Sequence, residues 1–251
     1  MSDKKLFNLL SKYSKDIQNL AQVGAHQGQE IEIFENFNFE KIYLFEPFYK
    51  NVQIIEKIIE KKLNYEVFEF ALGNNNTKKE IYYSIENEGQ SSSFLDPNLH
   101  KKVQPNINFH NKSLVKIKRF EDLDINNVNF LIMDVQGFEL EVLKGFGTKI
   151  HGIDFIFTEV NREYLYSDNV LIWELDKYLL KKGFVRTWTS WREANMPWGD
   201  AFYLRTSKIS KSREKLYLLK NLLFTNNLLF SLYRLIDVRV FVKSLKNLLR
   251  S

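Results

Sequence analysis

The sequence contains no cysteine and only four histidines, four prolines and ten glycines among its 251 residues. Without cysteine there is no disulfide framework, no thiolate zinc site and no cysteine nucleophile, and the chain suits a reducing compartment. Four histidines make a histidine-built metal centre a poor expectation, and none is assigned. Scarce glycine and proline, beside 44% hydrophobic residues, exclude a collagen-like or disordered chain. Long apolar runs are missing too. The most lipid-like stretch, Leu216 to Leu235, is interrupted by Lys220, Asn221, Asn226, Asn227 and Arg234, too polar to span a bilayer. The first ten residues, Met1-Ser-Asp-Lys-Lys-Leu-Phe-Asn-Leu-Leu10, lack the apolar stretch and cleavage site of a signal peptide. A cytoplasmic protein is expected.

Aromatic residues, by contrast, are plentiful, with 21 Phe and 12 Tyr. The length suits one large domain, or a domain with an appendage. The net charge of +5 is unevenly placed. From Lys208 to Arg250 ten basic residues face only Glu214 and Asp237, a net +8, which leaves residues 1–207 at −3. The division expected is therefore a mildly acidic domain over 1–207 and a basic extension over 208–251. A nucleic-acid partner for the whole chain loses its electrostatic support.

Alternating strand and helix patterns run along the first part. Helices are expected over 3–16, 29–35, 48–62, 138–146 and 169–182, and strands over Asn19–Val23, Lys41–Glu46, Tyr65–Ala71, Asn129–Asp134 and Asp154–Asn161. Lys79–Tyr83 reads as an added strand, and the polar segment 84–112 as an active-site lid. Gly183–Thr189 and Ala201–Arg205 read as a closing hairpin across Met196-Pro197-Trp198-Gly199. This order predicts a doubly wound, mostly parallel sheet with its binding crevice at the strands' C-terminal ends. In the extension, Leu228, Leu232, Leu235, Ile236, Phe241, Leu245, Leu248 and Leu249 recur at near-helical spacing. Such an amphipathic helix could pack on the domain or on a twin subunit, or lie at the inner face of an anionic membrane.

Three places carry chemistry. Gly24-Ala25-His26-Gln27-Gly28 sits where the first strand turns into a helix, offering bare backbone to a ligand. Glu46 ends the second strand, where an acid accepts hydrogen bonds from ribose hydroxyls. The loop is no P-loop, since no Lys-Ser/Thr follows, and it lacks the third glycine of a nicotinamide-dinucleotide fingerprint. A buried strand then delivers Asp134, with Gly137 and Glu139 beyond it. Asp134 either caps the following helix or works on a cationic ligand or substrate proton. Glu159 lies near the end of the next strand. His100 and His110 are expected at the surface, and Trp188, Trp191 and Trp198 as hairpin or core contacts that could also stack on a sugar ring.

Gly24-Ala25-His26-x-Gly28, Leu44-Phe45-Glu46-Pro47, Ala71-Leu72, Gly89-x-Ser91-Ser92-Ser93, Phe130-Leu131-Ile132-Met133-Asp134-Val135-x-Gly137-x-Glu139 and Thr158-Glu159-Val160 occur in order over residues 18 to 205. Together they resemble the FkbM-type S-adenosylmethionine-dependent methyltransferases. The resemblance implies a seven-stranded Rossmann-like sheet with helices on both faces and an antiparallel last strand. It also implies O-methylation, often of a sugar hydroxyl in a glycan or natural product, with S-adenosylmethionine as cofactor and a carbohydrate or small hydroxylated acceptor as partner. By position, Gly24, Ala25, His26 and Gly28 would line the methionine side and Glu46 would bind the ribose. Phe45 and Pro47 would shape the adenine side, and Ala71, ending strand three, would meet the adenine edge. Asp134 would sit near the methyl group with Glu159 beside it as the catalytic acids, and Ser92 and Ser93 would touch substrate. The chain departs from the family's pattern at Gln22, where Asp is usual, at His26, where Asn is usual, and at Gln136, where Glu is usual. Fewer carboxylates weaken the field for a sulfonium. The other reading is therefore a non-catalytic cofactor- or glycan-binding module; a nicotinamide oxidoreductase comes third.

Overall fold

A computed structural model describes residues 3–84, 86–97, 99–109, 111–192 and 196–225. The chain divides into two compact units, Met1–Lys208 and Ile209–Ser251. The first unit is built on a seven-stranded sheet in the order β3-β2-β1-β7-β8-β10-β9. Its strands are β1 (Asn19–Val23), β2 (Lys41–Phe45), β3 (Tyr65–Phe68), β7 (Val128–Met133), β8 (Phe155–Asn161), β9 (Phe184–Trp191) and β10 (Trp198–Arg205). The first five pair in parallel, while β10 runs antiparallel between β8 and β9. The Rossmann-like seven-stranded fold with a reversed last strand is therefore present.

The central strands are rich in apolar residues because both of their faces are covered. Every residue of β1 and β8 is buried. On one face lies α1 (Asp3–Tyr13), whose Tyr13 ring stands 5.2 Å from Phe155 and 5.5 Å from Phe202. On the other, α5 (Glu139–Gly145) and α6 (Ile172–Lys181) bring Val142, Leu143, Leu175 and Leu179 onto Leu131, Met133 and Ile156. The remaining helices of this unit are α2 (Ile31–Phe34), α3 (Tyr49–Ile59) and the one-turn α4 (His100–Val103). At roughly 25 cal/mol per Å² of apolar surface, this two-sided burial is the main favourable term in folding.

Three expectations need correction. Strand three stops at Phe68; the Phe70 N–H turns back onto Phe68 O at 3.0 Å, and Ala71–Leu72 becomes β4 in a different sheet. That second sheet, β4-β6-β5, joins β5 (Thr77–Tyr83) to β6 (Asn111–Lys118), a strand that the sequence pattern does not announce. In β6, Val115 and Ile117 face inward between exposed Lys112, Leu114, Lys116 and Lys118, the alternation of a one-sided strand. Finally, the closing hairpin is longer at its tip: β9 reaches Trp191 and β10 begins at Trp198, so the turn expected at Trp198-Gly199 belongs to the ladder.

In the second unit, α7 spans Lys211–Thr225. The expected apolar stripe from Leu228 to Leu249 lies outside the described residues, as does His110. No helix among the described residues is long and apolar enough to cross a membrane.

Candidate active site

The site forms where β1, β2 and β7 end. Asp134 N–H donates to Val23 O at 3.1 Å, which pulls the ends of β7 and β1 together. Gly24, at φ +81°, fits between them; a Cβ there would lie 2.1 Å from the Asp134 carbonyl oxygen. Gly24 and Ala25 N–H both donate to Phe45 O, at 3.0 and 3.1 Å, fixing the loop to the end of β2. His26 follows in the left-handed region at φ 48°, a conformation that costs a side-chain-bearing residue about 1 kcal/mol or more.

That turn aims the His26 N–H at Glu46 Oε2, 2.9 Å away. Glu46 Oε1 accepts from Phe48 N–H at 3.0 Å and Asn51 Nδ2 at 3.1 Å. Burial pushes the Glu46 carboxyl up to about 7 against the pull of these donors. Two carboxylate oxygens offer about four acceptor positions, and three are used here. The His26 ring bonds outward: Gln29 Nε2 lies 2.6 Å from Nδ1, and Nε2 lies 2.8 Å from Glu88 O. The first loop is thus tied to the 86–90 turn, the beginning of the segment expected as a lid.

A second group of acids stands beside the first. Asp134 Oδ1 accepts from Gln136 Nε2 at 2.7 Å, and the Tyr166 hydroxyl lies 2.8 Å from Gln136 Oε1. Glu139, in the first turn of α5, accepts Gly137 N–H at 3.1 Å; burial pushes its carboxyl up to about 7. Glu159 lies within β8, two residues before its end and opposite Asp200 of β10. Burial, then the charges of Asp134 and Glu139, drive its carboxyl well above the ordinary range. Lys5 Nζ meets Asp200 Oδ2 at 3.2 Å and offsets the like-charge pairing across the strands.

A cavity of about 630 Å³ opens over these groups. Gly24, His26, Phe45, Glu46, Pro47, Ala71, Ser92, Asp134 and Glu159 all line it; Ala25, Gly28 and Ser93 do not. Ala25 is wholly buried and Gly28 packs against Ile31, while Ser93 Oγ donates to Gln136 O at 2.7 Å. Ala71 reaches the cavity from the second sheet. Of Trp188, Trp191 and Trp198, only Trp198 is on the wall: Trp188 packs near Phe157, and Trp191 lies under Arg162.

The Methyltransferase FkbM domain matches residues 22–186, about two thirds of the chain. The chain belongs to the FkbM methyltransferase family. Among solved structures it is similar to an FkbM methyltransferase from Methylobacillus flagellatus KT, at 16% identity and a TM-score of 0.51, over 75% of this chain and 44% of that one. This FkbM protein thus spans less than half of that neighbour. It is also similar to a putative RNA methyltransferase from Pyrococcus horikoshii (12% identity, TM-score 0.46, 81% of this chain and 83% of that one). A magnesium protoporphyrin IX methyltransferase from Synechocystis PCC 6803, with bound SAM, gives 10% identity and a TM-score of 0.47 over 81% and 79%. No curated protein matches in sequence.

The FkbM pattern explains the odd positions. Gln22, standing for Asp, donates from Nε2 to Glu30 Oε2 at 2.9 Å, and Glu30 lines the cavity. An acid thus stands beside position 22 in Glu30, whose carboxyl burial raises; spacing alone did not reveal this partner. Gln136, standing for Glu, is an amide that donates to Asp134 and accepts from Tyr166, where a carboxylate would repel Asp134. Sequence reasoning also missed His100, which is 5% exposed and lines the cavity instead of the surface. No group of three metal-ligating side chains occurs among the described residues.

Proposed function

We propose that this FkbM protein is an S-adenosylmethionine-dependent O-methyltransferase acting on a sugar hydroxyl of a glycan or related natural product. The observation that carries the reading is Glu46, held at the end of β2 with acceptor capacity left over, in one cavity with Asp134 and Glu159. The residues fit the cofactor. Glu46 would take the ribose hydroxyls and Phe45, Pro47 and Ala71 the adenine. Asp134, Glu159 and Glu30 provide the negative surroundings a sulfonium needs. When bound, S-adenosylmethionine supplies a methyl carbon whose bond to sulfur breaks as its bond to the acceptor oxygen forms.

The chain's part is to place that oxygen and to remove its proton. Holding the acceptor in line can supply about 7–11 kcal/mol of the barrier. Burial opposes charge on Asp134, but the positive charge of the amino terminus, then the Gln136 amide and the Arg192 guanidinium, favour it, and its carboxyl lies below the ordinary range. Asp134 is thus ionised and ready to accept the proton of the acceptor hydroxyl. Glu159 and Glu139, raised in the free protein, gain charge when a cation enters beside them.

Isothermal calorimetry with S-adenosylmethionine checks the reading. Glu46→Ala should weaken binding by about 10-fold or more while the circular dichroism spectrum stays unchanged. Unaltered affinity would remove Glu46 from the pocket. Binding without S-adenosylhomocysteine formation across a broad acceptor panel would leave a non-catalytic module.

A further inference from the structure

His100 is fixed everywhere except at its ring nitrogens. Its backbone N–H donates to Leu165 O at 2.9 Å, and its imidazole is wedged 5.2 Å from Phe109, edge-on, and 5.3 Å from Tyr166. Nδ1 is sealed from solvent and has no hydrogen-bond partner. Nε2 is not among the sealed atoms and makes no hydrogen bond to any described residue, so it is the nitrogen that opens on the cavity His100 lines. An interior imidazole with no hydrogen bond is expensive, at about 1–3 kcal/mol for a buried polar group left unpaired. A phenyl ring would fill this aromatic slot without that cost.

The ring's chemistry follows from its surroundings. Burial pushes the imidazole down to about 4, so near neutral pH it carries one proton on two nitrogens. A sealed N–H without an acceptor is rarer in proteins than a sealed lone pair. The proton therefore belongs on Nε2, and the ring offers the cavity one donor and no charge. Such a group neither takes the acceptor's proton nor attracts an anion; it recognises an oxygen lone pair. Trp198 and Gln104 line the same cavity, an apolar face and an amide suited to a polyhydroxylated ring.

We propose that His100 is an acceptor-recognition residue, whose Nε2–H donates to a ring or hydroxyl oxygen of a sugar and so orients that sugar beside Asp134 and Glu159. This rests on the methyltransferase reading above. It assigns sugar recognition to the segment between β5 and β6, which is outside the central sheet.

Two variants, with and without ligand, test it. In the free protein His100→Phe should leave Tm equal or higher, and nitrogen NMR of histidine-labelled parent should show the neutral Nε2–H tautomer. With S-adenosylhomocysteine bound, methyl glucoside, galactoside, mannoside and rhamnoside are titrated in turn. A glycoside that binds should shift the Nε2 resonance and lose about tenfold or more affinity in His100→Phe. It should return to within about threefold of the parent in His100→Gln, whose amide nitrogen can replace the donor. S-adenosylmethionine affinity should stay within about twofold in both variants. A fall in Tm of about 5 °C or more in His100→Phe marks a structural ring and overturns the proposal. So do an Nδ1–H tautomer, glycoside binding indifferent to His100→Phe, or no glycoside bound at all. A parent protein that binds no S-adenosylmethionine overturns the methyltransferase reading, and this proposal with it.

Discussion

Asp134 and Gln136 form the smallest unit of the site that can be tested alone. The Gln136 amide points its donor at Asp134 and its acceptor at the Tyr166 hydroxyl, so the carboxylate is oriented by a neutral group. Gln136 holds this position at φ 53°, a left-handed conformation uncommon for residues with side chains. Asp134→Asn removes the proton acceptor and one of the negative groups around the sulfonium, and should lower kcat about 10²–10⁴-fold at saturating S-adenosylmethionine, with cofactor affinity also reduced. Steady-state kinetics on the acceptor that turns over would show this; parental kcat would dismiss Asp134 as base. Gln136→Glu restores the family's usual residue but places a second carboxylate against Asp134. Like charges so close raise the pH at which the pair ionises, and the ascending, acid-side limb of the rate–pH profile should move up by about one unit. An unmoved profile would mean that the amide's neutrality is irrelevant.

At the level of strands and loops, function depends on how tightly three strand ends approach. At Gly24 the chain beyond β1 passes the Asp134 carbonyl too closely to leave room for a Cβ. Gly24→Ala forces the Asp134 carbonyl outward and strains a left-handed backbone, which should destabilise the protein by about 2–4 kcal/mol. It should also weaken S-adenosylmethionine binding, because Asp134 and the His26 turn move together. Urea titration and calorimetry would measure both; parental values for both would show that the loop relaxes freely. This part of the fold was legible in advance. Apolar runs such as Phe130–Met133 read as buried central strands, and the acids at or near strand ends, Glu46, Asp134 and Glu159, marked the crevice, with a helix cap as the other reading of Asp134. The second sheet was not legible: β4 is two residues long, and β6 begins at the end of the segment read as a lid and alternates lysines with apolar residues. For the same reason Ala71 was placed on the wrong strand while still facing the cavity, and His100 was expected outside. A buried histidine with no partner leaves no pattern in sequence, since only the fold brings Phe109 and Tyr166 around it.

Across the whole molecule, the acids make stability and binding two aspects of one proton balance. Glu46 and Glu139 titrate at about 7 in the folded protein, and Glu30 and Glu159 are also raised, burial being the largest cause in each. The same side chains titrate near 4.5 when unfolding exposes them. Between those values the native protein holds protons that the unfolded chain has released, so stability falls as pH rises through the window. Carboxyls such as Glu35, which is lowered where Lys62 and Tyr65 bind it against the opposing effect of burial, act in the opposite direction but below that window. Thermal unfolding of the free protein should therefore show Tm falling by about 5 °C or more between weakly acidic and weakly alkaline pH. A cationic ligand reverses the balance by favouring the charged carboxylates. Cofactor binding should release protons, detectable by calorimetry in two buffers of different ionisation enthalpy, and the Tm increase it produces should be larger at the alkaline end. A flat or rising Tm in the free protein, joined with binding that takes up protons, would mean that the bound ligand disfavours charged carboxylates here. The cavity would then be organised for something other than a sulfonium.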